Sequence, residues 1–161
     1  MGQSQTKTND PLFYAQRLLS IYQKSKTSSS QQDQHALMTG VWLCVKESWF
    51  FWVNELSAYM NLERAEGYQL DEMDILLDAD LPEGQLLLGL LDDSQSWLSL
   101  LLKRIGEPTK RLKSSKNGGA SDVNLIALVS MDEVDEGVLI ERVLLEFKKY
   151  IESVRVRQVE W

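Results

Sequence analysis

The chain has 161 residues, 43% of them hydrophobic, and a formal charge of −7. One domain is the default at that length, and roughly 70% of the unfolded surface can be buried without covalent staples. The acidic balance argues against broad binding to nucleic acid or to anionic membrane, and a single cysteine, Cys44, excludes an internal disulfide.

Residues 1–9 are polar and read as an N-terminal tail. They hold no apolar stretch of signal-peptide type, and no run in the chain approaches the ~18 apolar residues of a membrane span. Met1-Gly2 with Thr6 fits the bare myristoylation pattern, which is short enough to arise by chance. The expectation is a reduced, cytoplasmic protein. The first helix is predicted from about Pro11 to Lys24, with Asp10 as N-cap and proline at the first helical position. Its stripe is Leu12, Ala15, Leu18 with Leu19, and Tyr22.

Ser28, Ser29 and Ser30 break that pattern and offer a cap for a long second helix, Gln31 to about Asn61. Met38, Val41, Val45, Trp49, Trp52, Leu56 and Tyr59 recur at helical spacing, while Leu43, Phe50 and Phe51 lie off the stripe. A helix apolar nearly all round is usually buried on most sides, so this one reads as the central pillar. Cys44, among apolar neighbours, reads as a packed thiol.

Residues 62–81 are less regular, with one short helix expected at 72–78. A third long helix is predicted from Pro82 to about Ile105. Leu86, Leu87, Leu90, Leu91, Trp97, Leu98, Leu101 and Ile105 form one wide face, and Pro108 closes it. Residues 106–121, rich in Gly, Ser and Lys, read as a mobile basic loop. Residues 123–129, VNLIALV, read as a short extended apolar segment. Ser130 with Glu133 then resembles a capping box, ahead of a last helix from about Val134 to Gln158. Ile140, Val143, Leu144, Phe147, Ile151 and Val154 make its stripe. The fold class is therefore all-α: a single domain, 1–161, like an antiparallel four-helix bundle, with one extended segment before the last helix.

Several short motifs support a resemblance. Thr8-Asn9 precedes Leu12-Phe13-Tyr14-Ala15; Ser96-Trp97-Leu98 precedes Leu101-Leu102; Leu125-Ile126 precedes Val129; and the chain ends on Glu160-Trp161. Together they resemble an uncharacterised family of small all-helical bacterial proteins, a domain of unknown function. The resemblance spans most of the chain and implies a helical fold but no activity. Asp10-Pro11 and the strongly aromatic pillar depart from the family pattern.

The search for chemistry is largely negative. His35 is the single histidine. Carboxylate-bridged metal bundles need repeated Glu-x-x-His pairs, and the chain has no such pair, no H-E-x-x-H, no C-x-x-C and no EF-hand loop. No metal, cofactor or catalytic residue is expected. Asp92-Asp93 reads as solvent face. Glu47 and Glu55 lie two turns apart in the aromatic pillar and need partners if buried. They are either a solvent-facing edge, an internal salt bridge, or the polar floor of a pocket. A pocket would join Trp42, Glu47, Trp49, Trp52, Glu55 and Tyr59.

Between Glu63 and Asp93 stand ten acidic residues and one basic residue, whereas Lys103 to Lys116 holds six basic residues against Glu107 alone. Lys110, Arg111, Lys113 and Lys116 are thus the candidate partner-binding set. Without interleaved aromatics, nucleic acid is a weak fit for them. The favoured function is a non-enzymatic interaction or scaffolding protein, binding an unknown protein or itself. A small-molecule sensor with the aromatic pocket, and a nucleic-acid accessory acting through 103–116, are the alternatives.

Overall fold

The computed structural model describes residues 3–62, 81–106 and 135–159. Five helices account for most of them: α1 Gln3–Ser25, α2 Gln31–Tyr59, α3 Pro82–Asp92, α4 Trp97–Gly106 and α5 Glu136–Val159. Among the described residues there is no strand. The expected helix at 72–78, the basic loop 106–121 beyond Gly106, the extended segment 123–129 and the Ser130–Glu133 box lie outside the described residues.

α1 corrects the sequence reading. It begins at Gln3, so Pro11 is inside the helix and is not its first residue. Proline has no N–H for the carbonyl four residues back, which ordinarily weakens a helix at that point. Here the preceding turn is held by tertiary bonds. The Ser48 hydroxyl donates to the Thr8 carbonyl at 2.8 Å, and the Thr8 hydroxyl donates to Glu55 at 2.8 Å. Thr8, Leu12, Ala15 and Leu19 form the buried face.

α2 is the pillar. Ser30 caps it, its hydroxyl accepting the Asp33 N–H at 3.1 Å and donating to the Asp33 carboxylate at 2.7 Å. At its end Asn61 takes a left-handed conformation, φ 52. The Asn61 N–H donates to the Ala58 carbonyl and that of Leu62 to Ser57, a Schellman closure in which asparagine stands in for the usual glycine. Met38, Val41, Val45, Trp49, Trp52 and Leu56 are buried and Tyr59 is half-buried. Off-stripe Leu43 is exposed, and Phe50 lies on the surface boundary. Thr8 of α1 meets Ser48 and Glu55, while Leu18 meets Gly40, where an added Cβ would come within 3.2 Å of the leucine.

The predicted third helix is two helices, α3 and α4. Ser96 makes the break. Its hydroxyl accepts the Ser99 N–H at 3.1 Å, capping α4, and donates to the Leu90 carbonyl at the end of α3. The Ser99 hydroxyl reaches the carbonyls of Leu90 and Leu91, and Asp93 accepts the Gln95 N–H at 2.9 Å. Ser96 and Ser99 thus give partners to two of the last carbonyls of α3, and Ser96 to the Ser99 N–H in the first turn of α4. α5 starts at Glu136, capped by Asp135, whose carboxylate accepts the Gly137 N–H at 3.0 Å.

An aromatic cluster sits within a largely aliphatic core. Trp97 stacks on Phe147 with centroids 5.3 Å apart, and Trp49 meets both at 6.1 and 5.6 Å. Tyr150 touches Trp97 and Trp52. These five rings join α2, α4 and α5 and are all buried.

Candidate functional site

A carboxylate in the core needs donors, and Glu55, 2% exposed, has four. Arg155 of α5 grips it as a fork, Nε to Oε1 at 2.8 Å and Nη2 to Oε2 at 2.9 Å. The Tyr59 hydroxyl donates to Oε1 at 2.7 Å, and the Thr8 hydroxyl donates to Oε2. Arg155 also donates from Nη1 to the Asn9 side chain at 2.9 Å and lies over the Trp52 ring at 5.7 Å. One ion pair thus ties α1, α2 and α5 together. Burial pushes the Glu55 carboxyl up, but the hydrogen bonds of Arg155, Tyr59 and Thr8 and the Arg155 charge outweigh it and leave it below the ordinary carboxylate value. Four donors use the roughly four acceptor sites of a carboxylate, so none remains to take a proton from a substrate or to bind a metal.

The other candidate-pocket residues do not share one environment. Trp49 and Trp52 face the core rings. The Trp52 N–H and the Tyr150 hydroxyl are buried without a well-formed hydrogen bond, although the rings meet edge-on at 5.8 Å. Burial first, and then the Glu83 charge, push the Tyr150 phenol far above its ordinary value, so it stays neutral. Trp42 belongs to a separate cluster nearer the other end of α2: its N–H donates to Glu136 at 3.2 Å, and Arg104 both pairs with Glu136 and lies 5.6 Å over the indole. Glu47 is exposed. Burial, and then the Glu47 charge, push the Cys44 thiol up, which favours its protonated form. Tyr59, half-buried, is a ligand of Glu55.

Lys110, Arg111, Lys113 and Lys116 lie outside the described residues. Asp92 and Asp93 are exposed, Asp93 serving the interhelical turn. His35 is exposed. Among the described residues, no three His, Cys, Asp or Glu side chains converge as a metal site, and no helix is long and apolar enough to cross a membrane. Sequence reasoning missed Arg155 because it lies a hundred positions from Glu55 with no local signal linking them. Thr8 and Asn9, which opened the resemblance motif, turn out to be the α1 ligands of this centre.

Large apolar side chains are also exposed on α1, α2, α3 and α5. Phe13 is 58% exposed, Tyr14 57%, Ile21 48% and Leu43 60%. The first three sit on the outward face of α1, and Leu43 is on α2, three residues past the Gly40 contact. Comparison with curated proteins and with solved structures finds no match. Across residues 1–161 the chain matches a family of unknown function, DUF6586, and it belongs to that family.

Proposed function

We propose that this chain is a non-enzymatic, cytoplasmic interaction module on an antiparallel four-helix-bundle-like scaffold, with α3 and α4 together as the fourth rod. The pairing of Thr8 with Glu55 and of Leu18 with Gly40 supports opposite directions for α1 and α2. The observation that carries the functional reading is a division of labour. The buried ion pair is consumed internally, while Phe13, Tyr14 and Ile21 stand exposed on one face of α1. Clustered exposed apolar side chains rimmed by polar groups mark interaction surfaces.

The test is affinity capture of the tagged full chain from its native host, beside a Tyr14→Glu/Ile21→Glu variant of matched melting temperature. A specific protein bound by the parent and lost from the variant supports the reading. Equal capture by both forms, or co-elution of only a small molecule or nucleic acid, overturns it.

A further inference from the structure

The outward face of α1 has an internal symmetry. Asp10 and Arg17 are seven residues apart, two helical turns, with Phe13 and Tyr14 midway. Phe13 and Tyr14 pack edge to face at 5.9 Å and are both more than half exposed. Asp10 and Arg17 are exposed and belong to none of the ion pairs among the described residues. A two-fold axis crossing α1 between residues 13 and 14 sets a second α1 antiparallel on the first. Phe13 then lies opposite the partner's Tyr14, and Asp10 opposite the partner's Arg17, each pair occurring twice. Lys7 falls opposite the partner's Ser20, so no like charges stand directly opposite one another. Lys7, Arg17 and Lys24 against Asp10 also leave this face net positive in a chain whose net charge is −7, which lessens repulsion between copies there.

We propose that the α1 face is a self-complementary docking surface for a second copy of this chain. It rests on the reading of the molecule as an interaction module and names the partner. An isologous interface needs the same patch to serve as both halves, and a helix whose charges are of opposite sign about an aromatic centre meets that need. The contact comprises few side chains per copy, so the dimer belongs to the small, reversible class.

Sedimentation velocity of the full chain over micromolar to millimolar concentration tests it. The parent should show a concentration-dependent monomer–dimer equilibrium. Asp10→Arg and Arg17→Asp, each alone, should weaken dimerisation by about tenfold or more, because each sets like charges opposite one another twice. Mixed in equal amounts, these two variants should pair with each other, and the double reversal should dimerise again. Melting temperatures near the parent's establish that the variants fold. A parent monomeric at every concentration overturns the proposal. So does a dimer indifferent to the reversals, or single variants that fail to complement. A monomer that binds phosphatidylglycerol vesicles through this face overturns it in favour of a lipid surface. A monomer that still captures a different protein overturns the self-docking while leaving the interaction reading intact.

Discussion

Glu55 shows how one residue couples three helices and sets an acid limit on stability. Removing one member of a buried pair strands the other, so Arg155→Ala should cost about 3–5 kcal/mol in denaturant melts. Replacing both members with apolar groups of similar volume, Glu55→Leu with Arg155→Met, should cost much less. The pH dependence has a definite sign. The folded-state value of Glu55 lies below its ordinary value of 4.5. Its contribution is therefore fully present above that value and is lost as pH falls from 4.5 through the lower folded value. Melts between neutral pH and strong acid should show this loss in the parent and its absence in the Glu55→Leu/Arg155→Met variant. Identical acid profiles would show that other carboxylates set the limit.

Element by element, periodicity was readable and punctuation was less so. The pillar's buried stripe matches its spacing because a long, uninterrupted apolar pattern leaves little freedom of phase. Pro82, a capping Ser30 and the stripe of α5 were equally visible. The break at Asp93–Ser96 was not, since leucines on both sides can be drawn on one helical face, although Ser96 before Trp97 is a legitimate cap signal. The start of α1 was hidden because tertiary bonds at Thr8 override a local proline rule. Half of the candidate site was legible: the pillar announced that Glu55 needs a partner, but only folding brings Arg155 to it. Two substitutions test the punctuation. Ser96→Ala should lower stability by about 1–2 kcal/mol through loss of the cap. Gly89→Ala in α3 should raise it by about 0.5–1 kcal/mol, because an added Cβ meets nothing within 4 Å and alanine restores helix propensity. Urea midpoints measure both, and a stable Ser96→Ala protein would mean that the turn is held by Asp93 and Ser99 alone.

At the scale of the whole molecule, three polar clusters flank the aromatic cluster among the described helices. Glu55–Arg155 ties α1, α2 and α5; Trp42–Arg104–Glu136 ties α2, α4 and α5; and Arg157 pairs with Glu83 at 3.2 Å to bind the end of α5 to the start of α3. Between them Trp49, Trp52, Trp97, Phe147 and Tyr150 form a continuous set of ring contacts. No helix among these can leave without opening contacts in the others. The described helices should therefore unfold together: in urea, tryptophan fluorescence and far-ultraviolet circular dichroism should give superimposable transitions. Trp52 is fully buried at the junction of the ion pair and the ring cluster. Trp52→Ala should shift both transitions to lower urea by the same amount, equivalent to about 3–5 kcal/mol. Separation of the two curves in the variant would mean that the α1–α2 pair retains its structure after the α4–α5 side has opened. A common shift below about 1 kcal/mol would show that the core closes readily around the missing ring.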